Sequence, residues 1–479
     1  MMTSTLSKKA LVLSALVLLV LWQTASAYLH APLILPSPVS VFQGAAQLLA
    51  QKKFIIALLY TAKRCLEAFT ISVVAGMILG VLCAFIPFCS AFFELPLAII
   101  RSVPVVAVIL LALFWLKTDE IPIFAAILMS LPVMKTCVQT GFSSCSKDEL
   151  HMAHVYRLTR LQIFLFIRIP HAYDSICTGI KNCAGMTWKV VAAGEVLSLP
   201  SKAVGTYMQN AQAILETEQV LAITALIIAA SFLFSLAIQV LLHSARKAGI
   251  ACTRWYFSIP LFFCRQHSSG KQNDTMHGKE IHIEHLNLGY EEKKLIFKDF
   301  SLDVPASEIL AILAPSGCGK TTLLNYIASQ NNYGNKAYIF QEPRLIKQLT
   351  VLQNILLPLS NCMSKSDALK HATSYLEKTG LLEKKNTFPE ALSGGERQRV
   401  SLARAFAYPA GILLMDEPFQ SQDSDTKEKL MHLFASLQKE QNRTVIMVTH
   451  TPSEAESLAH RTLKLQGRPV TVIETLKKH

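Results

Sequence analysis

Residues 309–322 read Ile-Leu-Ala-Ile-Leu-Ala-Pro-Ser-Gly-Cys-Gly-Lys-Thr-Thr, and this stretch decides the fold of the C-terminal half of the chain. The apolar residues 309–313 predict a buried strand, and the run from Thr321 to Ala328 predicts a helix. Between them, Gly317 and Gly319 allow backbone N–H groups to close around an anion at a helix N-terminus, which favours negative charge. The stretch therefore predicts a strand, a phosphate-binding loop and a helix within an α/β domain.

The same stretch carries side chains suited to a nucleoside triphosphate and its metal ion. The Lys320 ammonium is expected to reach the β- and γ-phosphates, and the Thr321 hydroxyl is expected to ligate Mg²⁺. Ala314 occupies the first position of the pattern, where Gly is usual, and its small side chain is expected to leave function intact. The residues expected to surround the nucleotide here are Ser316, Gly317, Cys318, Gly319, Lys320, Thr321 and Thr322.

An acidic pair follows a second apolar run. Residues 412–415 predict a buried strand that delivers Asp416 and Glu417 to its carboxyl end, where parallel sheets bind ligands. Such a pair could also only cap the strand, but the phosphate loop upstream favours a nucleotide site. Between the two motifs, Ser393, Gly394 and Gly395 open a predicted helix and present a second helix N-terminus to a phosphate.

Together with the stretch Leu392-Ser-Gly-Gly-Glu-Arg-Gln398, these motifs resemble those of the ATP-binding cassette (ABC) transporter ATPases, over residues 280–475. The resemblance implies that Asp416 holds Mg²⁺ through water and that Glu417 polarises the attacking water. It also implies that the signature residues 393–395 complete the ATP site of an opposite subunit. Because the chain carries one phosphate loop and one signature, a homodimer with two composite sites is expected.

Four further residues match the family's pattern. The resemblance implies that Gln341 senses Mg²⁺ and the attacking water, that His450 contacts the γ-phosphate and that Asp423 belongs to the site. Tyr290 resembles the aromatic residue that stacks on adenine, although a tyrosine near a strand end can also pack in a core. The separation between Lys320 and Gln341 is shorter than usual, which predicts a trimmed antiparallel sheet.

Composition indicates a membrane protein rather than one that binds nucleic acid. The 479 residues are 51% hydrophobic and 16% charged, and the formal net charge is +13. Because no basic and aromatic cluster accompanies this charge, cationic cytoplasmic loops explain it better than nucleic acid does. The eleven cysteines show no paired spacing, so neither a disulfide framework nor a zinc site is expected.

The N-terminal half predicts an all-α transmembrane domain. The run from Ala10 to Trp22 is expected to be an uncleaved first span, although a cleavable signal peptide looks similar. Each further run has close to the roughly 20 residues that a bilayer needs. The organisation expected is a permease domain over 1–245, a basic and polar linker over 246–279 and the ABC ATP-binding domain over 280–479. The further spans are expected near 67–88, 92–116, 121–141, 174–197 and 219–242.

About six spans with Lys8 and Lys9 inside place the loop 142–173 and the C-terminus in the cytoplasm. The basic residues of that loop agree with the positive-inside rule, whereas those at 52, 53, 63 and 64 fall outside. An interfacial amphipathic helix over 45–65 would reduce this conflict. Gly76 and Gly80 form a pair at the spacing that permits close helix approach, or they are two small residues by chance.

The membrane half, over residues 60–242, resembles the permease subunits of ABC importers in the nitrate, sulfonate and taurine group, which includes transporters of thiamine precursors. The resemblance lies in residues 148–157, 167–170 and 179–195. Ala153, Ile167 and Pro170 match the family's pattern, whereas His151 and Arg157 stand where the family has Glu and Gly. It implies a type I importer-like domain whose short cytoplasmic helix enters a groove on the ATPase; an ordinary amphipathic helix is the alternative.

Three charged residues, Lys181, Lys189 and Glu195, fall in or beside an apolar span. Charge inside a membrane is costly, so these residues indicate a substrate path or a buried pair. Lys189 and Glu195 could equally reach a membrane interface or end a helix.

The combined resemblance predicts a fused permease and ATPase in a bacterial inner membrane. With a separate extracytoplasmic substrate-binding protein, the homodimer would import a small solute, either a sulfonate-, nitrate- or taurine-like anion or a thiamine-precursor-like pyrimidine, at the cost of ATP and with Mg²⁺. The alternatives are an exporter half-transporter and a membrane-anchored ATPase with a regulatory or mechanical task.

Overall fold

The computed structural model describes residues 2–31, 33–258, 278–289, 295–315, 317–420, 423–467 and 469–477. The chain divides into two compact units, Met1–Ser144 with His171–Lys247 and Cys145–Pro170 with Ala248–His479. The segment 145–170 therefore packs with the nucleotide-binding part of the chain, although it lies inside the predicted permease domain.

The N-terminal half is helical wherever it has regular structure. Residues 164–168 form a π-helical turn. The short helices on either side of residue 157, Lys147–Val155 and Arg160–Ile163, belong to the second unit. The helices are α1 (Met2–Leu29), α2 (Pro38–Ala50), α3 (Lys52–Phe85), α4 (Pro87–Ser102), α5 (Val105–Ala112), α6 (Ile121–Ser143), α7 (Lys147–Val155), α8 (Arg160–Ile163), α9 (Ile169–Ser198), α10 (Val204–Ala213) and α11 (Thr217–Ser258).

Among the described residues, three helical stretches are long and apolar enough to span a membrane: Lys52–Phe85, Ile121–Ser143 and Thr217–Ala245. The predicted spans 121–141 and 219–242 are thereby confirmed, and 67–85 of the predicted span 67–88 lies within the longer α3. The predicted span 174–197 lies within α9, which carries several charges and does not meet the same criterion. Helix α11 continues to Ser258, so the start of the predicted linker is helical, and residues 259–277 lie outside the described part.

The predicted span near 92–116 corresponds to two helices, α4 and α5. Helices α4 and α5 are apolar enough only as a pair, and they are bent by 95°. Proline has no N–H to donate and disfavours helical backbone in the residue before it. Accordingly, Val103 is extended (φ −76°, ψ 128°) before Pro104, and the helix breaks there.

The helix over 45–65 that would have reduced the charge conflict is not a single helix. Helix α2 ends at Ala50, and Gln51 is extended (φ −85°, ψ 116°). Helix α3 then begins at Lys52 and continues to Phe85. The basic residues at 52, 53, 63 and 64 therefore belong to the first turns of a long apolar helix.

Gly76 and Gly80 bring α3 against α6. A Cβ at Gly76 would lie 2.6 Å from Met134 Cβ, and one at Gly80 would lie 2.5 Å from Val138 Cβ. The close-approach interpretation of this pair is confirmed. Because both sets of partners advance by four residues in the same direction, α3 and α6 run parallel.

Glu195 forms a buried ion pair. Its Oε1 accepts from Arg64 Nη1 at 2.8 Å, and its side chain is 0% exposed. Thr61 Oγ1 and Gly205 N also donate to this carboxylate, at 2.9 and 3.1 Å. The sequence left a substrate path and a buried pair as interpretations of this charge. The structure shows Glu195 in a buried pair. Lys181 and Lys189 are exposed on the unit's surface.

The second unit contains two sheets. β1 (Ile281–Gly289) and β2 (Leu295–Val304) form an antiparallel pair. The other six strands, whose bounds are given below, lie side by side in one sheet in the order β4-β5-β6-β3-β7-β8. β4 is the only strand between Lys320 and Gln341, all of which are described, in agreement with the trimmed sheet. The remaining strands are β3 (Ile309–Leu313), β4 (Lys336–Ile339), β5 (Ile412–Asp416), β6 (Thr444–Thr449), β7 (Arg461–Gln466) and β8 (Thr471–Lys477).

The parallel strands gather the functional motifs at one edge. β5 and β6 are buried throughout, as expected for apolar strands covered on both faces. Leu313 pairs with Thr449 and Asp416 with Val448, so β3, β5 and β6 end side by side. The helices of this unit are α12 (Lys320–Ser329), α13 (Val351–Leu359), α14 (Lys365–Lys378), α15 (Gly394–Ala407), α16 (Ser424–Gln441) and α17 (Pro452–Leu458).

Candidate active site

The phosphate loop joins β3 to α12 through two glycines in the left-handed region. Gly317 has φ +84° and Gly319 has φ +85°. A Cβ at Gly319 would lie 2.3 Å from Ile296 Cγ2, so only glycine fits there. Lys320 is buried, and its Nζ donates to the Ala314 carbonyl at 2.7 Å, which folds the side chain back across the loop. Cys318 is 8% exposed, and Thr322 is half-buried beside it.

Asp416 and Glu417 end β5 directly against this loop. Thr321 Oγ1 donates to Asp416 Oδ2 at 2.9 Å, and burial raises the pKa of Asp416 above its usual range. Glu417 lies 3.1 Å from Lys320 Nζ through its Oε1. Its backbone is left-handed (φ +45°), and its N–H donates to Val448 O at 2.9 Å. The turn after β5 therefore directs the two carboxylates to the same loop.

His450 completes this cluster. Gln341 lies next to the cluster and is hydrogen-bonded to Gln420, which follows β5. His450 Nδ1 lies 3.5 Å from Glu417 Oε2, and its side chain is 50% exposed. The Gln341 side-chain amide donates to Gln420, which sequence reasoning did not identify. The structure thus brings the phosphate loop, the acidic pair and the histidine together. Gln341 is bound by Gln420, four residues after the end of β5. Tyr290 and Ser316 lie outside the described residues.

The signature residues line a separate open cleft of about 770 Å³. Ser393 caps α15 in a reciprocal arrangement with Glu396, whose carboxylate accepts from Ser393 N at 2.9 Å. Hydrogen bonds from Lys384 and this N–H hold the pKa of Glu396 at about 2. Gly394, Gly395 and Asp423 lie in the cleft wall, and Asp423 Oδ2 caps α16 by accepting from Thr426 N at 3.0 Å. No phosphate-loop residue lines this cleft among those described.

Comparison with known proteins identifies the family. The chain is 42% identical over 188 residues to the thiamine import ATP-binding protein ThiQ of Chelativorans sp., covering 35% of this chain and 76% of that protein. It is 38% identical over 190 residues to the aliphatic sulfonates import ATP-binding protein SsuB 2 of Pseudomonas syringae, covering 38% and 80%. The chain belongs to the ABC transporter family.

Other comparisons locate both parts of this ABC transporter. The "ABC transporter" family model matches residues 297–335 and 329–420, and "binding-protein-dependent transport system inner membrane component" matches 73–247. The taurine import ATP-binding protein TauB of Pseudomonas aeruginosa is 32% identical, covering 40% of this chain and 81% of that protein. A dimeric, ADP- and Pi-bound ATP-binding cassette, MJ0796, aligns with TM-score 0.37 and 28% identity, over 42% of this chain and 98% of that one.

The ABC transporter therefore carries an ATP-binding domain that hydrolyses ATP for transport and a helical permease region that makes it a membrane protein. The residues fit a magnesium ion beside the nucleotide. Thr321 and Asp416 present hard oxygen atoms 2.9 Å apart. No group of three or more His, Cys, Asp or Glu side chains in the described chain could hold a metal alone. Mg²⁺ usually takes one or two carboxylates together with phosphate oxygens, and Asp416 offers one such carboxylate.

Sequence reasoning missed two arginines that touch the site's supports. Arg344 follows Gln341 and contacts Asp148 and His151 of α7. Arg404, in α15, donates to the carbonyls of Pro343 and Arg344. The only signal was their position near known motifs, because nothing local distinguishes them from surface arginines.

The close contact at Gly319 leads to a testable prediction. We expect Gly319→Ala to weaken ATP binding by about tenfold or more and to destabilise the unit by about 1–3 kcal/mol, because the methyl group meets Ile296 in a left-handed backbone. Calorimetric titration with ATP and thermal unfolding of the detergent-solubilised chain measure the two effects.

The matched control is Gly467→Ala in the β7–β8 connection. Gly467 has the same φ of +85°, but its nearest neighbour, Pro469 O, lies 3.2 Å from the added Cβ. This variant should lose stability without losing ATP affinity. Equal loss of ATP affinity in both variants would contradict the loop's specific role.

Proposed function

We propose that this ABC transporter is a fused half-transporter that works as a homodimer and imports a small solute delivered by a separate binding protein. The observation that carries the proposal is the packing of residues 145–170, named here the coupling segment, on the ATP-binding domain. This segment interrupts the permease helices in sequence. It is covalently joined at both ends to the first unit, and it packs within the same unit as the ATPase.

Buried contacts seat the coupling segment beside Gln341. Met152 and Ala153 of α7 are 1% and 0% exposed and share a core cluster with the central sheet. Tyr156 Oη donates to Tyr338 O at 3.0 Å, at the end of β4 just before Gln341. Further along, Gln162 Nε2 donates to Ser360 Oγ at 3.0 Å. Movement of the loop after β4 would therefore move the coupling segment.

Charged contacts join the same surfaces. Arg344 Nη2 lies 2.7 Å from Asp148 Oδ1, and Arg344 Nη1 lies 3.0 Å from His151 Nδ1. Burial, followed by the Arg344 charge, lowers the pKa of His151, which favours its neutral form beside that arginine. The carboxylate that pairs with Arg344 of the ATPase is therefore that of Asp148. His151, at the position where the family has Glu, contacts Arg344 as an imidazole.

The site residues supply the elements of phosphoryl transfer to water. Lys320 and the glycine-rich loop would bind the phosphates, and Glu417 would accept a proton from the attacking water. His450 would orient that water or contact the terminal phosphate. Thr321, Gln341 and Asp416 would hold Mg²⁺, which supplies charge neutralisation at the phosphates when bound.

Two copies of the chain are needed for a complete site. The cleft around Ser393 contains Lys378, Arg399 and Lys429 as well as the exposed start of α15, a setting suited to phosphate. Among the described residues, none of the same chain's phosphate loop lines it. We infer that the cleft faces the nucleotide of a second copy, giving two composite sites.

Helix directions support six spans. Because α3 runs parallel to α6, the intervening α4 and α5 must cross back together as one bent span. Helix α9 runs antiparallel to α6, since Gly194 packs on Pro122 and Gly179 on Cys137. With α1 and α11, the chain then crosses six times, and the coupling segment and the ATPase lie on the cytoplasmic side of a bacterial inner membrane.

The relatives' names suggest the class of solute. ThiQ, SsuB and TauB are import proteins for thiamine, aliphatic sulfonates and taurine. We propose a sulfonate-, nitrate- or taurine-like anion, or a thiamine-precursor-like pyrimidine, as the solute. Liposomes that contain the chain, with external binding protein and labelled candidates, test this proposal. ATP-driven accumulation that depends on the binding protein supports import; ATP-driven extrusion indicates an exporter. Hydrolysis without solute movement indicates a membrane-anchored ATPase.

The coupling segment gives a separate prediction. We expect Ala153→Leu to uncouple hydrolysis from transport, because the larger side chain overfills a fully buried position between α7 and the ATPase. In liposomes, ATP hydrolysis should continue while uptake falls by about tenfold or more. The control is His154→Leu, the next residue on the same helix, which is exposed. Unchanged uptake in Ala153→Leu would show that this helix does not couple the two activities.

A further inference from the structure

Arg404 is a buried arginine in α15, the helix that begins at the signature residues. It is 1% exposed. Among the described residues, it forms no ion pair with a carboxylate, and its charge is met by two carbonyl groups and the ring of Tyr156. Burying a guanidinium without a counter-charge is costly, so its position requires contacts of good geometry.

Two of these contacts hold the loop after Gln341. Arg404 Nη1 donates to Arg344 O and Nη2 to Pro343 O, each at 3.0 Å. Arg344 has φ +38°, a left-handed conformation that is unfavourable for a residue with a side chain. The paired hydrogen bonds therefore stabilise a strained backbone at the point where the loop meets α7.

Arg404 also contacts the coupling segment. Its guanidinium carbon lies 5.2 Å from the centre of the Tyr156 ring, within the range of a cation–π interaction. Tyr156 in turn packs edge-on against Tyr408, just beyond the end of α15, with ring centres 5.1 Å apart. One buried cation thus touches both the loop after Gln341 and the coupling segment.

We propose that Arg404 is a positioning residue that transmits displacement of α15 to the coupling segment through the Arg344 backbone and Tyr156. The proposal rests on the proposed function, in which Ser393 at the start of α15 meets the nucleotide of a second copy. Engagement of Ser393 would move the helix as a rigid rod. The two hydrogen bonds from Arg404 would then displace the carbonyls of residues 343 and 344. The ion pair between Arg344 and Asp148 would pass this displacement to α7.

The geometry requires arginine rather than any cation. The planar guanidinium offers donors in a fixed fork that can reach two adjacent carbonyls while its face lies on an aromatic ring. A lysine ammonium at the same place retains the charge but loses the fork. Arg404→Lys therefore removes the directional link with a small change in volume.

Hydrogen–deuterium exchange on the full chain in lipid nanodiscs tests this link. The background is Glu417→Gln, which retains bound ATP, and the readout is the backbone exchange of peptides covering residues 147–156 with and without ATP and Mg²⁺. We expect ATP to change exchange in these peptides. We expect Arg404→Lys to abolish this change while the ATP-dependent protection of the phosphate loop persists.

Arg443→Lys is the matched control. Arg443 is also fully buried and also donates to carbonyls, those of Ala405, Phe406 and Tyr408, at 2.8–2.9 Å. It should lower stability to a similar degree and leave the ATP response of residues 147–156 intact. A full response in Arg404→Lys, or an equal loss in Arg443→Lys, would overturn the positioning role. Absence of any response in the Glu417→Gln background would instead contradict the proposed coupling itself, and the link with it.

Discussion

Replacing Glu417 with Gln is expected to lower the rate of ATP hydrolysis by about 100- to 10,000-fold while ATP binding is retained. The amide has nearly the same shape as the carboxylate but cannot take a proton from water. Its neutral side chain also removes the 3.1 Å ion pair with Lys320, which leaves that ammonium free for the phosphates. We therefore expect ATP affinity to be equal to or higher than that of the unmodified chain. Phosphate release and calorimetric titration measure the two quantities.

The control for this variant is Glu308→Gln. Glu308 lies at the amino end of β3, at the opposite edge of the sheet, and pairs with Arg461 at 2.6 Å. This substitution also removes one carboxylate from an ion pair, but it should leave turnover within about twofold. ATP should further trap the Glu417→Gln chain as a closed dimer, detectable by cross-linking. Hydrolysis at the unmodified rate in Glu417→Gln would refute the assignment of the base.

Replacing Glu195 with Ala is expected to destabilise the membrane unit by about 3–5 kcal/mol. The substitution leaves the Arg64 guanidinium, whose side chain is 7% exposed, without its buried counter-charge. It also removes the acceptor for the Thr61 hydroxyl and the Gly205 N–H. Arg64 retains Asp119, at 2.5 Å, but that carboxylate is 62% exposed and compensates less. Denaturant-induced unfolding in detergent micelles measures the loss.

Two further variants separate the buried charge from the loss of a side chain. Lys63 is next to Arg64 in the sequence and forms an exposed ion pair with Glu67, at 3.6 Å. Lys63→Ala breaks this pair and should lower the stability of the membrane unit by no more than about 0.5 kcal/mol. The double variant Arg64→Met with Glu195→Leu removes both buried charges and should recover part of the stability. A small effect of Glu195→Ala, similar to that of Lys63→Ala, would contradict the structural role of the pair.

The ATP-binding half could be predicted well because its signals are local. The order of glycines, Lys320 and Thr321 after an apolar strand predicts a phosphate-binding loop from short spacing alone. The apolar runs before Asp416 and His450 indicate strands, and parallel pairing then brings their carboxyl ends together. Local pattern could not predict the cleft around Ser393, because its walls come from α14, α15 and α16.

The membrane half was predicted less accurately because hydropathy does not report helix breaks or contacts. Residues 92–116 are largely apolar, but the chain bends by 95° at the break before Pro104. Residues 145–170 lie between apolar runs, which assigns them to the permease domain, although the family resemblance predicts that their short helix enters a groove on the ATPase. The burial of Met152 and Ala153 against the central sheet assigns them to the other unit.

The sequence by itself determined the family resemblance and the order of permease and ATPase, and it predicted the chemistry at Lys320, Asp416 and Glu417. Each depends on residue types at short spacing, which folding does not alter. The tertiary structure alone decided the partners of Glu195 and Arg404. Lys189 and Glu195 are both charged residues in one apolar helix, but only Glu195 turns toward a cation on another helix. A buried charge is stable only with such a partner, and that partner lies far away in the sequence.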